Sequence, residues 1–169
     1  EHMEDNPQWH GKAAKPEFVP IIDQELESQF MIAPSIIAGD MTNLAKEVKR
    51  CDDGRADYIH LDVMDGQFVQ NRTFDHIKIK ELRPLTVIPF DAHLMINEPI
   101  KHVKDYVDAG SDIITVHTEV CDESSFGEIN DILRSNQVSV GLAINPDTEL
   151  PDWSKKFISS LDQLIVMSV

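Results

Sequence analysis

Short apolar runs alternate with amphipathic stretches along the chain from Met31 onward. This alternation is typical of βα units that build a parallel sheet. Several runs are almost continuously apolar, as expected for strands that are covered on both faces. Six strands are predicted, at residues 31–37, 58–63, 87–94, 113–117, 138–143 and 164–169.

Apolar residues recur at helical spacing between the predicted strands, which indicates an outer layer of helices. These residues are Leu44, Val48 and Cys51, then Ile77, Ile79 and Leu82, then Ile100, Val103 and Val107, and finally Phe126, Ile129, Ile132 and Leu133. Six strands in series with intervening helices fit either a doubly wound sheet or an unfinished (β/α)8 barrel. Periodicity alone does not choose between the two folds.

Residues 1–30 follow a different pattern, with Pro7, Gly11, Pro16 and Pro20 among polar side chains. We expect an N-terminal extension that ends in a short helix, followed by one domain over residues 31–169. The opening Glu-His-Met is also typical of a cloning junction, so part of the extension is interpreted as a tag remnant.

Composition narrows the classes of partner. The chain has 169 residues, of which 41% are hydrophobic and 27% charged, values typical of one globular domain. The formal net charge of −15 at pH 7 argues against nucleic acid and anionic lipid as partners. No apolar run approaches the length of a membrane span, and the two cysteines lack metal or redox spacing, so we expect a cytoplasmic protein with free thiols.

The candidate chemistry lies at the ends of two neighbouring strands. His60 and Asp62 are two residues apart on one predicted strand, so their side chains point to the same face. His93 lies at the corresponding end of the next strand, where parallel α/β folds build their sites. Two imidazoles and one carboxylate suit Zn²⁺, Fe²⁺, Mn²⁺ or Co²⁺, so the pattern predicts a site for one divalent metal ion.

Several ordered segments resemble the ribulose-phosphate 3-epimerase family. They are Ala33-Pro34-Ser35-Ile36, the run from His60 to Gly66 with Phe68, Val69 and Asn71, the run from Asp91 to Met95 with Pro99, the run from Gly141 to Pro146, and Val166-Met167-Ser168-Val169. The resemblance covers residues 31–169, and inside it Gln67 and Gln70 stand where the family usually has His and Pro.

This resemblance implies a (β/α)8 TIM barrel of the ribulose-phosphate-binding type, of which the chain covers about six of eight βα units. It implies that His60, Asp62 and His93 hold the metal and that Asp62 is the catalytic acid/base. The implied reaction is epimerisation at C3 of a ketose phosphate, D-ribulose 5-phosphate to D-xylulose 5-phosphate, through an enediolate. That reaction is part of the pentose phosphate pathway.

The same resemblance assigns substrate contacts to Ser35 and His93 and to an apolar cap formed by Met64, Met95 and Met167. It places the second catalytic aspartate and the phosphate-binding loop in later strands, so we expect both to be absent from this chain. Family members often assemble as dimers or larger oligomers, which suggests a homo-oligomer.

Two alternatives to the pentulose reaction remain open. One is a 3-epimerase of a hexulose 6-phosphate, and the other is a catalytically inactive fragment or scaffold that lacks the second aspartate. Asn71 is interpreted either as a substrate contact or as a turn residue. His117 and Glu119 lie two apart on a strand, and we interpret them as interior or rim residues of the barrel.

Overall fold

The computed structural model describes residues 30–168 and shows one five-stranded parallel sheet. The strands are β1 (Ile59–Met64), β2 (Phe90–Met95), β3 (Ile113–His117), β4 (Ser139–Ile144) and β5 (Gln163–Val166). They pair in sequential order, β1-β2-β3-β4-β5. A doubly wound sheet reverses its strand order at a switch point, and this sheet has no such reversal within the described residues. The predicted extension at residues 1–30 lies outside the described residues except for Phe30.

Four α-helices fill the connections that the apolar spacing predicted. They are α1 (Leu44–Asp53), α2 (His76–Leu82), α3 (Val103–Asp108) and α4 (Glu123–Ser135). Side chains that accept backbone N–H groups begin three of them: Asn43 caps α1, Asp75 caps α2 and Asp122 caps α4. The β4–β5 connection instead holds two 3₁₀ helices, Asp152–Lys156 and Ile158–Ser160.

The sheet curls as a barrel wall does. Gln163 on β5 donates a hydrogen bond from Nε2 to Oδ2 of Asp91 on β2, with 3.1 Å between the two atoms. Strands three apart in a flat sheet are separated by about 14 Å, too far for these side chains to meet. The sheet is therefore curved, and its concave face forms the interior of a partial (β/α)8 barrel.

Successive side chains of each strand point to opposite faces of the sheet, and the two faces differ in polarity. The convex face carries apolar residues that pack against the helices in one continuous core, among them Leu61, Val63, Leu94, Val116 and Leu142. The concave face carries polar residues, including His60, Asp62, Asp91, His93, Thr115 and His117. On β5, however, Leu164 and Val166 are 49% and 71% exposed, so the expectation of cover on both faces fails for this strand.

The prediction of a strand at residues 31–37 is wrong. Only Ser35 forms a β-bridge, to His60, and the chain then turns into a 3₁₀ helix at Ile36–Ala38. Pro34 accepts the backbone N–H of His60 at 2.9 Å but has no N–H to donate. The segment therefore lies along β1 as extended chain with an incomplete hydrogen-bond ladder.

Four other predicted strands differ from the observed ones in their bounds, most of all β2 and β5, and one apolar residue of the predicted helices is exposed. β2 begins at Phe90, three residues after residue 87, because the Arg83 guanidinium occupies the carbonyl oxygens of Thr86 and Ile88. β5 runs from Gln163 to Val166 rather than over 164–169. Ile77, expected in the core, is 57% exposed on α2.

Aspartates fix the ends of the strands opposite the candidate site. Asp112, just before β3, accepts the backbone N–H of Phe90 at 2.9 Å and pairs with Arg83 at 2.9 Å. Asp162, just before β5, repeats this pattern with Val140 at 2.8 Å and Arg134 at 2.7 Å. Each aspartate ties a strand to its neighbour and to the helix before that neighbour.

No helix in the described part of the chain is long and apolar enough to cross a membrane.

Candidate metal centre

Strand register brings the three predicted metal ligands together. His60 and Asp62 lie on β1, and Asp62 is directly opposite His93 on β2. His60 Nε2 is 3.2 Å from Asp62 Oδ1, and His93 Nδ1 is 3.3 Å from the same oxygen. One donor atom from each residue therefore lies within 4.8 Å of the others. The site opens on the concave face of the sheet.

The site is enclosed but reachable from solvent. The His93 side chain is 2% exposed, whereas those of His60 and Asp62 are 17% and 14% exposed. Ser35, on the extended segment beside β1, donates its hydroxyl proton to Asp62 Oδ2. One oxygen of Asp62 therefore faces the two imidazoles, and the other accepts a hydrogen bond from the Ser35 hydroxyl.

Asp91 orients the first imidazole. It lies directly opposite His60 in the strand register, and its Oδ2 is 2.7 Å from His60 Nδ1. The Asp91 side chain is 5% exposed. A carboxylate on the far nitrogen of a histidine fixes the ring and directs its other nitrogen toward a metal site. Sequence reasoning did not assign Asp91 a role, although it lies two residues before His93 and therefore on the same face.

The second imidazole also has a partner on its far nitrogen. His93 Nε2 is 2.7 Å from His117 Nε2, and the two rings stack with 4.9 Å between centroids. His117 Nδ1 is in turn 3.1 Å from Oε2 of Glu119. His117 is buried at the end of β3, inside the barrel, and Glu119 is at its rim.

Opposing effects set the charge of the site. Burial disfavours protonation of His60, but hydrogen bonds with Asp62 and Asp91 outweigh burial and raise its pKa to about 10. Burial favours the neutral form of Asp62, but hydrogen bonds with His60, His93 and Ser35 outweigh it and hold the pKa well below the usual range. Burial, with His93 nearby, lowers the pKa of His117, although Glu119 opposes this effect.

The donor set fits a divalent transition ion. Two imidazole nitrogens and one carboxylate oxygen converge on one point, and each imidazole has its other nitrogen engaged. Such nitrogen and oxygen donors suit zinc, iron, manganese and cobalt better than calcium or magnesium. His60, Asp62 and His93 could therefore hold such an ion.

Two of the three methionines that the resemblance assigns to an apolar cap lie side by side. Met64 and Met95 are partners in the strand register at the ends of β1 and β2. Met167 follows β5, where its backbone N–H donates to the carbonyl oxygen of Ile144 at 3.0 Å. Asn71 lies between β1 and α2 in an irregular segment.

Residues 31–169 match the family model described as the ribulose-phosphate 3-epimerase family. The chain belongs to this family. The match spans all five strands and the three predicted metal ligands, and it supports the barrel architecture of the curled sheet.

Curated relatives carry the same family name. A ribulose-phosphate 3-epimerase from Synechocystis is 38% identical over 144 residues, which are 85% of this chain and 62% of the relative. One from Bacillus subtilis is 37% identical over 82% of this chain and 62% of the relative. The chloroplastic enzyme of Arabidopsis thaliana is 34% identical over 88% of this chain and 52% of the relative. The chain thus spans less than two thirds of each relative.

A solved protein from Thermus thermophilus, studied in a crystal soaked with ZnCl₂, superposes with a TM-score of 0.52. The superposition covers 79% of this chain and 64% of that protein, at 9% sequence identity. At this identity the likeness concerns the fold alone.

Proposed function

We propose that this chain serves the metal-dependent epimerisation at C3 of a ketose phosphate, with D-ribulose 5-phosphate and D-xylulose 5-phosphate as the pair. The observation that carries the proposal is the convergence of Asp62 with His60 and His93 inside a barrel wall of this family. The placement suits a carboxylate that works beside a cation. The names of the curated relatives support the choice of substrate.

Asp62 is the proposed acid/base. Its hydrogen bonds keep it ionised, so it can accept the proton that leaves C3 on one face of the substrate. The electron pair of the C3–H bond moves toward the adjacent C2 carbonyl, which gives an enediolate. Return of a proton to the opposite face of C3 inverts the carbon. By family resemblance, a second aspartate from a later strand handles that opposite face.

His60, Asp62 and His93 are the proposed ligands of one Zn²⁺, Fe²⁺, Mn²⁺ or Co²⁺ ion. When bound, such an ion supplies Lewis-acid stabilisation of the negative charge that develops on the substrate oxygens. Asp91 holds the His60 ring so that Nε2 faces the site. Ser35 positions the Asp62 carboxylate through its second oxygen.

The apolar cap and Ser35 are the proposed substrate contacts, together with His93. Met64 and Met95 lie side by side at the carboxyl ends of their strands, where they exclude water from the reacting carbon. Met167, which continues the alternation of Gln163 and Ile165, is the third member of this cap. We further propose that the protein acts in the cytoplasm on a small phosphosugar, without a nucleic-acid or membrane partner, and as a homo-oligomer.

Solvent exchange at C3 tests the proposal. The full chain is loaded with each of the four ions and incubated with D-ribulose 5-phosphate in D₂O, and deuterium at C3 is followed by NMR. We expect deuterium incorporation with at least one ion and its loss in Asp62→Asn. Asp152→Asn removes an exposed carboxylate and is the matched control, with wild-type exchange expected.

Absence of exchange with every ion would refute the activity of this chain, and wild-type exchange in Asp62→Asn would refute the role of Asp62. Faster exchange with a hexulose 6-phosphate would mean that this sugar, and not D-ribulose 5-phosphate, is the substrate.

A further inference from the structure

A row of hydrogen bonds leads from the candidate metal centre to the rim of the barrel. His93 turns Nδ1 toward Asp62 Oδ1 at 3.3 Å and Nε2 toward His117 Nε2 at 2.7 Å. His117 Nδ1 then contacts Glu119 Oε2 at 3.1 Å. The other oxygen of Glu119 accepts the backbone N–H of Asn145 at 2.8 Å, which fixes the carboxylate in place.

The Glu119 carboxylate decides which atoms of the row donate and which accept. An ionised carboxylate has no proton to donate, so Glu119 accepts and His117 donates from Nδ1. In a neutral imidazole one ring nitrogen donates and the other accepts, so Nε2 of His117 accepts when Nδ1 donates to Glu119. Only one proton fits between two Nε2 atoms 2.7 Å apart, and it must therefore belong to His93.

We infer that Glu119, acting through His117, keeps a proton on Nε2 of His93 and so reserves Nδ1 of His93 for the metal. Both Glu119 and His117 are positioning residues, since neither supplies one of the three donor atoms. Glu119 acts at a distance of two imidazole rings. Asp91 does the same for His60 through one direct contact.

The packing around His117 makes this arrangement rigid. The ring is buried, stacks on His93 with 12° between the ring planes, and has the Phe68 ring 5.0 Å away between centroids. A buried ring held on two sides cannot easily rotate to exchange its nitrogens. The proton pattern is thus decided by the hydrogen-bond partners, above all by Glu119.

Replacement of Glu119 by Gln should exchange the donor and acceptor roles along this row of hydrogen bonds. A Gln amide has one carbonyl oxygen, and the fixed N–H of Asn145 takes it. The amide NH₂ then faces His117 Nδ1 and donates to it. His117 must carry its proton on Nε2 and donate to His93 Nε2, so His93 can then hold a proton only on Nδ1, where it competes with the metal.

The first test reads the proton pattern directly, without metal. Long-range ¹H–¹⁵N correlation spectra of the ¹⁵N-labelled, metal-free chain distinguish a protonated from an unprotonated ring nitrogen. We expect the Nδ1–H form of His117 in the wild type and the Nε2–H form in Glu119→Gln. The Nε2–H form of His117 in the wild type would overturn the inference without recourse to any variant.

The second test measures Zn²⁺ affinity by competition with a chromophoric chelator, with Asp62→Asn as the reference that lacks the site. Zn²⁺ affinity should fall by about 10- to 100-fold in Glu119→Gln. Glu123→Gln makes the same change nearby, at an exposed carboxylate on α4 that pairs with Lys156 at 2.6 Å, and should keep wild-type affinity.

The inference rests on the metal site of the proposed function, and the two can fail separately. Equal Zn²⁺ affinity in the wild type and in Asp62→Asn would remove the metal site and, with it, both proposals. Wild-type Zn²⁺ affinity in Glu119→Gln, beside weakened Asp62→Asn, would overturn the present inference alone.

Discussion

His60 Nδ1 lies 2.7 Å from Asp91 Oδ2, across two strands whose register pairs these two residues. The contact places a buried carboxylate behind the first imidazole of the candidate metal centre. Conversion of Asp91 to Asn should lower metal affinity by about 10- to 100-fold, because an outer carboxylate fixes the orientation of the ring and raises its basicity.

Zn²⁺ titration by chelator competition measures this effect. Asp152→Asn, which alters an exposed carboxylate paired with Lys155, is the control and should bind as the wild type does. Unchanged affinity in Asp91→Asn would show that Asp91 does not support the His60 ligand.

Asp112 should contribute strongly to stability, because it joins the start of β2, Arg83 and the start of β3. Asp112→Ala leaves Nη1 of Arg83 and the Phe90 N–H without the acceptor that they share. We expect a loss of about 3 kcal/mol in the free energy of unfolding. Asp108→Ala breaks only an exposed pair with Lys104 on α3 and should cost less than about 1 kcal/mol. Urea unfolding decides, and a similar small loss in both variants would contradict the role given to Asp112.

Asp65 should make stability sensitive to acid. Burial favours its neutral form, but the backbone N–H groups of Asn97, Gln67 and Phe68 outweigh burial and lower its pKa. A carboxyl whose pKa is lower in the folded state stabilises the fold above its unfolded pKa, and this contribution disappears as the pH falls through the folded value.

Asp65→Asn should therefore be less stable than the wild type near neutral pH, and the gap should narrow at an acidic pH below the unfolded pKa of aspartate, as the wild type begins to lose the charge. Urea midpoints of the two proteins at both pH values measure the gap. A gap of constant size would mean that ionised Asp65 adds nothing to stability.

Cys121 should be a slow nucleophile in the folded protein. Burial, with Asp122 and Glu119 nearby, raises the pKa of its thiol to about 12. Since only the thiolate reacts, alkylation near neutral pH should be on the order of a thousandfold slower than in urea. Cys51→Ser isolates this thiol for mass spectrometry after iodoacetamide. Equal rates in native and denatured protein would contradict the raised pKa of the Cys121 thiol.

The sequence predicts that the three candidate metal ligands lie at one edge of the sheet, because strand alternation and strand order decide that placement. His60 and Asp62 share a face through their spacing of two, and His93 occupies the end of the next strand. The role of Asp91 depends on which residue of β2 lies opposite His60, and one sequence does not specify that register. The contact of Gln163 with Asp91 depends on curvature of the whole sheet, which no local pattern encodes.

Local chemistry explains the errors in the predicted elements. The apolar pattern at 31–37 is typical of a strand, but Pro34 removes a donor from the ladder and the chain turns at Ile36. The apolar run from Val87 extends the predicted β2 too far toward its start, because nothing in the run reveals that Arg83 binds the preceding carbonyl groups. At both positions a nearby side chain, Pro34 or Arg83, overrode the strand propensity of the apolar run.

Anomalous diffraction from crystals of the chain soaked in Zn²⁺ or Mn²⁺ would locate the metal that the three donors are proposed to hold. We expect one strong peak on the concave face of the sheet, about 2.0–2.2 Å from His60 Nε2, Asp62 Oδ1 and His93 Nδ1. Metal bound only at other residues, with these three side chains free of it, would mean that His60, Asp62 and His93 do not form a metal centre.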